Sequence, residues 1–259
     1  MRGVVYVAEG ERHVRGATLS VASLRRVMPD VAVVVARGTV EGTQPLEVNE
    51  ADAYRAKILA LQRSPFDVTL LLDADTYVAC DLSEIFDLLD DFDVCAAHSP
   101  NRGAMILPEI PWSFPEFNTG VIGLRRNDTT DRLLAEWLRL YDEMLPDRPP
   151  SWDQPSFRRA VYQASDLRVA VLPPEFNQRF EMSGFCGQSV RILHGWADTA
   201  RYEQIAASLS AREGAANDWH VFAGLLVFDR NGRQIANYGP RFRRIRRALR
   251  FARRIVSRP

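Results

Sequence analysis

Cysteine is scarce in this sequence of 259 residues, which contains only Cys80, Cys95 and Cys186. Their number is odd and their spacing matches no zinc motif, which argues against a disulfide framework and against a zinc ribbon. We expect three small, reduced and mostly buried thiols, as in a cytoplasmic protein.

Long apolar runs are also absent, and none reaches the roughly 20 residues that a membrane-spanning helix needs. The segment Met1–Val7 is followed by a polar residue at Glu9, which indicates a first strand and not a signal peptide. With 46% hydrophobic and 25% charged residues, the composition is that of a soluble globular protein. The sequence therefore predicts a cytoplasmic protein whose contact with a membrane, if any, is peripheral.

Net charge is zero, but the charges are unevenly distributed. Basic and acidic residues number 33 each, and nine of the arginines lie in Arg241–Pro259, which contains no acidic residue. Apolar residues recur there at helical spacing, which predicts one domain at residues 1–240 and a basic amphipathic helix at 241–259. Such a helix could bind an anionic membrane surface on the inner face of the membrane, or dock on the acidic body. Nucleic acid is less favoured because few aromatic residues interleave with the arginines.

The stretch that organises the chain is Val68–Val78. Its first five residues are apolar or β-branched, which predicts a buried strand too short to be a helix. Asp73 and Asp75 follow, and residues two apart on a strand face the same side. Two neighbouring carboxylates repel each other unless a divalent cation lies between them. Because ligands of open α/β sheets bind at the carboxyl ends of strands, we predict a Mg²⁺ or Mn²⁺ site for a phosphate-bearing ligand.

The rest of the chain alternates between predicted strands and helices, which indicates an α/β fold. It opens with a strand at Val4–Ala8, a loop at Gly10–Arg15, a helix at Ala17–Val27 and a strand at Val31–Ala36, as in nucleotide-binding half-sheets. The dinucleotide fingerprint G-x-G-x-x-G is absent. Further helices are predicted at 51–63, 82–89, 130–144, 153–162 and 202–210, further strands at 94–97, 117–124, 167–172 and 190–193, and a hairpin at 221–238.

Five short motifs occur in a fixed order: Lys57, Asp73-Ala74-Asp75, Phe117-Asn118-Thr119-Gly120, Trp152-Asp153-Gln154 and Ile192-Leu193-His194-Gly195. Together they resemble the GT-A glycosyltransferases, specifically the family 8 and related nucleotide-diphospho-sugar transferases. The resemblance covers roughly Val4–His194. It implies a Rossmann-like, mixed and mostly parallel sheet flanked by helices. It also implies metal-dependent transfer of a sugar, with a UDP-sugar as the first candidate donor, to a hydroxyl of a carbohydrate, lipid-linked or protein acceptor.

The resemblance also implies roles for individual residues. The metal, Mn²⁺ or Mg²⁺, would be held by Asp73, Asp75 and His194. The donor would be bound by Ala8, Glu9, Arg55, Lys57, Asp73, Ala74 and Asp75, with Ala8 and Glu9 beside the base. Asn118, Asp153 and Gln154 would form the sugar pocket and the catalytic centre. Family members often carry a lysine after the histidine motif that holds phosphate; here it is absent, which leaves Lys57, Arg191 or Arg201 as replacements.

Several of these residues also have a purely structural interpretation. Asp75 or Asp81 could cap the turn or helix that follows, and Asp153 could be an ordinary helix N-cap. Asn118 could be a turn residue, and Lys57 could belong to the solvated face of its helix.

The reaction outcome and the reaction class also have alternatives. An inverting enzyme needs a carboxylate base, for which Asp153, Glu116 and Glu175 are candidates, whereas a family 8-like enzyme would retain configuration with the amide of Gln154 behind the anomeric carbon. We favour retention. The rival functions are a haloacid-dehalogenase-like phosphatase that uses the Asp-x-Asp motif and a non-catalytic, membrane-docked protein that binds nucleotide-sugars.

Overall fold

A sheet of seven strands lies at the centre of the computed structural model, which describes residues 1–99, 107–144, 153–180, 188–210, 226–228 and 234–237. The strands are β1 (Arg2–Val7), β2 (Ala32–Ala36), β3 (Gln44–Leu46), β4 (Val68–Leu72), β5 (Thr76–Val78), β6 (Val94–His98), β7 (Phe117–Arg125), β8 (Val169–Leu172), β9 (Gln178–Arg179), β10 (Ile192–His194), β11 (Leu226–Phe228) and β12 (Gln234–Asn237). The central order is β3-β2-β1-β4-β7-β6-β8, with β7 antiparallel to both of its neighbours and the other pairs parallel.

Helices cover both faces of this sheet. They are α1 (Gly10–Val27), α2 (Ala53–Gln62), α3 (Ser83–Asp91), α4 (Asp128–Met144) and α5 (Gln154–Gln163), while α6 (Thr199–Ser210) packs against β5 and β10 through Tyr202 and Ile205. Helices α1 and α3 pack in one apolar core, and α2, α4 and α5 pack in a second core on the opposite face. The alternation of side chains along β4 explains this division, because Leu70 and Leu72 enter the first core while Leu71 enters the second.

The predicted α/β class and the mixed, mostly parallel sheet are confirmed. Strand β4 coincides with the predicted buried strand at 68–72, and all five of its residues are buried. The predicted loop at Gly10–Arg15 is wrong, because α1 already begins at Gly10. That glycine has a φ of 76°, in the left-handed region, and the capping residue Glu9 makes no side-chain bond to the helix. The usual sequence signal for a helix start is therefore missing at this position.

A second, small sheet brings a distant segment to the end of β4. It consists of β5, β10 and β9, with β10 antiparallel to β5 and parallel to β9. Strands β5 and β9 were not predicted from the sequence. The register pairs His194 with Thr76 on one side and with Arg179 on the other, so the histidine lies directly beside the two aspartates.

Only part of the predicted C-terminal structure lies within the described residues. Strands β11 and β12 pair antiparallel, in agreement with the predicted hairpin. The predicted basic helix at 241–259 lies outside the described residues. Within the part of the chain that the structure describes, no helix combines the length and the apolar character that a membrane span would require.

Candidate active site

A cleft of about 450 Å³ opens at the carboxyl end of β4. Its wall is formed by the carboxyl ends of β1 and β4, the beginning of β7, the first turns of α1, α2 and α5, and the small sheet. Its lining residues are Val7, Glu9, His13, Ala53, Tyr54, Lys57, Asp73, Ala74, Asp75, Ser99, Asn118, Thr119, Asp153, Gln154, Arg179, His194 and Trp196. Most of the residues that the sequence motifs singled out therefore share one wall.

Asp73, Asp75 and His194 form a triad whose potential ligand atoms all lie within 4.8 Å of one another. His194 Nε2 is 3.3 Å from Asp75 Oδ1 and 3.8 Å from Asp73 Oδ2. Two carboxylates and one imidazole suit Mn²⁺ or Mg²⁺, which prefer oxygen ligands and accept a neutral histidine. The donor set therefore fits the divalent cation that the sequence motifs imply.

Space for this triad depends on a residue without a side chain. Gly120 lies on β7 beside the triad, and a Cβ built there would be 2.1 Å from His194 Cε1 and 2.8 Å from Asp73 Oδ2. Real Cβ atoms do not approach other atoms so closely, so any larger residue would displace the histidine. The glycine of the Phe-Asn-Thr-Gly motif thus makes the close approach of His194 to the aspartates possible.

Lys57 is buried between two carboxylates and is not part of a solvated helix face. Its Nζ lies 2.9 Å from Asp73 Oδ1 and 3.3 Å from Asp153 Oδ2, and it donates to the Thr119 carbonyl oxygen at 3.3 Å. Asp153 also accepts a bond of 2.8 Å from the Thr119 hydroxyl. Although Asp153 precedes α5, its side chain makes no capping bond to that helix. The interpretation of Asp153 as an ordinary N-cap is therefore excluded.

Burial and neighbouring charges together set the protonation states of Lys57, Asp153 and Asp75. Burial disfavours the charge of Lys57, but Asp153 and Asp73 outweigh it, so the pKa of Lys57 is raised and the ammonium persists. Burial raises the pKa of Asp153, only partly opposed by Lys57. Burial also disfavours the charge of Asp75, yet His194 and then Arg179 prevail and lower its pKa to about 2. Asp75 is thus an anion at neutral pH, as a metal ligand must be.

A chain of side-chain amides connects the triad with Gln154. His194 Nδ1 lies 2.7 Å from Asn177 Oδ1, and Asn177 Nδ2 donates to Asn118 Oδ1 at 2.8 Å. Asn118 Nδ2 in turn donates to Gln154 Oε1 at 3.2 Å. Gln154 Nε2 donates to the carboxylate of Glu116. Asn177 lies at the end of a short 3₁₀ helix, Pro174–Asn177, and was not singled out from the sequence.

The structure does not bring every predicted residue into the cleft. Arg55 is engaged in ion pairs with Glu50 and Asp142 and does not line it. Ala8 is fully buried, although its neighbours Val7 and Glu9 do line the cleft. The proposed phosphate ligands Arg191 and Arg201 are likewise absent from the lining.

Arg179 is a lining residue that the sequence analysis missed. It pairs in register with His194 across β9 and β10, and neighbours paired in this way face the same side of a sheet. Among the described residues, its buried Nε has no hydrogen-bond partner, and no carboxylate forms an ion pair with its guanidinium. The only sequence signal nearby is the break at Pro173-Pro174, which does not reveal a strand of two residues.

Solved structures share this architecture. The galactosyltransferase LgtC, determined with donor and acceptor sugar analogs, aligns with a TM-score of 0.57 and 17% identity over 81% of this chain and 96% of its own. The chain has the GT-A fold. The glycosyltransferase GlyE of Streptococcus pneumoniae TIGR4 aligns with a TM-score of 0.54 and 16% identity, over 76% of this chain and 56% of its own.

A third GT-A structure, mouse xyloside xylosyltransferase 1, aligns with a TM-score of 0.50 and 14% identity, over 75% of this chain and 98% of its own. No protein-family model and no curated relative matches the sequence. At identities this low, the likeness carries the fold and leaves the activity to be argued from the site.

Proposed function

We propose that this protein is a metal-dependent glycosyltransferase that moves a sugar from a nucleotide-diphosphate donor to an acceptor hydroxyl. The observation that carries the proposal is the Asp73, Asp75 and His194 triad, gathered at the end of β4 in the cleft of a GT-A fold. The donor is expected to be a UDP-sugar. Solved GT-A structures that resemble the chain are glycosyltransferases, one of them with donor and acceptor sugar analogs bound.

Asp73, Asp75 and His194 would hold Mn²⁺ or Mg²⁺. When bound, the cation supplies Lewis-acid stabilisation of the charge that develops on a departing diphosphate. Asp75 is already ionised because its pKa is low, and Lys57 fixes the carboxylate of Asp73 through a contact of 2.9 Å. Asp73, Asp75 and His194 therefore suit a divalent cation and are already in place to bind it.

Arg179 would contact the diphosphate in place of the lysine that the histidine motif lacks. Lys57 is a weaker candidate because Asp73 and Asp153 already neutralise it. Arg179 lines the same cleft and keeps a guanidinium Nε without a partner in the described part of the chain. A planar guanidinium suits phosphate oxygens because it donates two parallel hydrogen bonds.

Retention of configuration is the favoured outcome. Of the three carboxylates considered as bases, Asp153 is held by Lys57 and Thr119, and Glu116 accepts a bond from Gln154. Glu175 accepts from the Gln188 N–H and does not line the cleft. A base must reach the acceptor hydroxyl, and all three are about 2–5% exposed. The amide of Gln154, which does line the cleft, would instead face the donor sugar.

A phosphatase is less well supported. In that class the first aspartate attacks phosphorus, but Asp73 is paired with Lys57 at 2.9 Å and belongs to a group that includes His194. The carboxylate is therefore better placed to hold a cation than to act as a nucleophile.

Thermal unfolding tests the proposal. Uridine diphosphate should raise the melting temperature only when Mn²⁺ is present, and the Asp75→Asn variant should lose that increase. Incubation of a UDP-sugar with Mn²⁺ and the protein should then release uridine diphosphate, which a purely binding protein would not do. If no nucleotide changes the melting temperature at any metal concentration, the proposal is wrong.

A further inference from the structure

The hydrogen-bond chain beside the triad can be assigned donor by donor, starting from a backbone group. The N–H of Gly120 can only donate, and it lies 3.0 Å from Asn118 Oδ1. The oxygen of Asn118 therefore faces Gly120, and its Nδ2 is the atom that donates to Gln154. A flipped Asn118 amide would place two donors against each other.

The orientation of Asn118 fixes the next amide and the imidazole. Its oxygen also accepts from Asn177 Nδ2, so the Asn177 oxygen is the atom that faces His194 Nδ1. A carbonyl oxygen only accepts, so Nδ1 must carry the proton. His194 Nε2, which faces the two aspartates, is then the nitrogen that can offer a lone pair to a cation.

We propose that Asn177 is a positioning residue that holds His194 in the Nδ1-protonated form required for metal binding. The proposal rests on the metal-dependent function proposed above. Asn177 is 6% exposed and does not line the cleft, so it acts on the cation through the imidazole alone. Partners of this kind, which donate to or accept from a metal-binding histidine, change metal affinity by about 10–100-fold when they are removed.

The same chain makes Asn118 a junction between the metal site and Gln154. Its oxygen supports Asn177 while its nitrogen holds the oxygen of Gln154, whose own nitrogen donates to Glu116. The Glu116 carboxylate only accepts hydrogen bonds, so the end of the Gln154 amide that faces it must be the nitrogen. The bond from Asn118 Nδ2 requires the other end to be the oxygen, and the two assignments agree. The orientation of the imidazole and that of the amide are therefore set by one shared residue.

The test uses the whole chain of 259 residues and three variants. In Asn177→Leu, which keeps similar volume but offers no acceptor, we expect Mn²⁺ affinity measured by electron paramagnetic resonance to fall about 10–100-fold. Asn177→Asp should keep near-wild-type affinity, because the new carboxylate also accepts from Nδ1. It should nevertheless lower kcat, since it cannot donate to Asn118. The matched control is Gln178→Leu. This substitution removes a neighbouring buried amide that is not part of the hydrogen-bond chain, and it should leave Mn²⁺ affinity unchanged.

A spectroscopic measurement separates positioning from packing. Nitrogen-15 spectra of histidine-labelled wild-type protein without metal should show a proton on His194 Nδ1, and Asn177→Leu should lose that preference. Protonation of His194 at Nε2 alone in the wild type, or wild-type Mn²⁺ affinity in a folded Asn177→Leu protein, would overturn the proposal. If the wild type binds no Mn²⁺, the proposed function fails, while the spectra still decide the role of Asn177.

Discussion

Gly120→Ala should weaken metal binding by at least ~100-fold without unfolding the protein. The added methyl would lie 2.1 Å from His194 Cε1 and 2.8 Å from His194 Nδ1, whereas ordinary contacts of a Cβ begin near 3.4 Å. The backbone cannot yield easily, because the Gly120 carbonyl accepts from the Asp73 N–H at 2.8 Å and the next residue is paired with β4. The imidazole must therefore move by more than an ångström away from Gly120, which changes its position relative to the two aspartates.

The size of the effect follows from the loss of one ligand in three. Disturbing a residue that only supports a ligand costs about 10–100-fold in metal affinity, so displacing His194 itself should cost at least ~100-fold. Overpacking of a core position costs about 1–3 kcal/mol, and each kcal/mol corresponds to about 2–4 °C in a protein of this size. The variant should therefore remain folded but melt several degrees lower, which calorimetry can measure beside Mn²⁺ titrations.

The matched control lies on the same strand. A Cβ at Gly123 would be 2.4 Å from Cys95 Sγ and 2.9 Å from Leu89 Cδ1, in the apolar core far along β7 from the triad. Gly123→Ala should lose similar stability and keep wild-type Mn²⁺ affinity. If Gly120→Ala binds Mn²⁺ as tightly as the wild type, the histidine is not a ligand and the argument for the triad fails.

Two further predictions concern charged residues. The Arg179→Ala variant should bind uridine diphosphate with Mn²⁺ about 10-fold or more weakly, as expected when a hydrogen bond to a charged group is lost. It should bind Mn²⁺ alone at least as tightly as the wild type, because the variant lacks a positive charge near Asp75. Calorimetric titrations that show both affinities unchanged would contradict this prediction. The Asp93→Asn variant should lose less of its free energy of unfolding than the wild type as the pH falls. Burial disfavours its charge, but the Arg168 N–H and Arg125 prevail and lower the pKa of Asp93. The stability it contributes is complete above the ordinary pKa of about 3.9 and is lost as pH falls through the lower folded value. Urea unfolding at a series of acidic pH values should show a shallower decline for the variant; equal slopes would refute it.

The central strand and its two aspartates could be predicted because their signal is local. A short apolar run, completely buried in the structure, ends in carboxylates two residues apart. His194 carries no such signal. It reaches the aspartates through the pairing of β10 with β5, and a contact over more than 100 residues leaves no periodicity in the sequence. Only the order of the motifs, through the resemblance to a family, connected His194 with Asp75.

The supporting residues could not be predicted for a related reason. Arg179 belongs to a strand of two residues, and Asn177 ends a single 3₁₀ turn, so neither lies in a segment long enough to show a pattern. Arg55 and Lys57 are two residues apart on α2 and looked equivalent in the sequence. The structure separates them, because side chains two apart on a helix do not share a face: Lys57 enters the cleft, and Arg55 pairs with Glu50 and Asp142.

The balance of charge in the cleft explains why nucleotide binding should require metal. Around the triad, the three acids Asp73, Asp75 and Asp153 face only two basic side chains, Lys57 and Arg179, and Lys57 is already paired with two of these acids. A diphosphate that approached this wall alone would meet the ionised Asp75. A divalent cation held by Asp73, Asp75 and His194 would reverse the sign of the potential there, and Arg179 would then add to the attraction instead of only offsetting an acid. The cation and the donor are therefore expected to bind in that order or together.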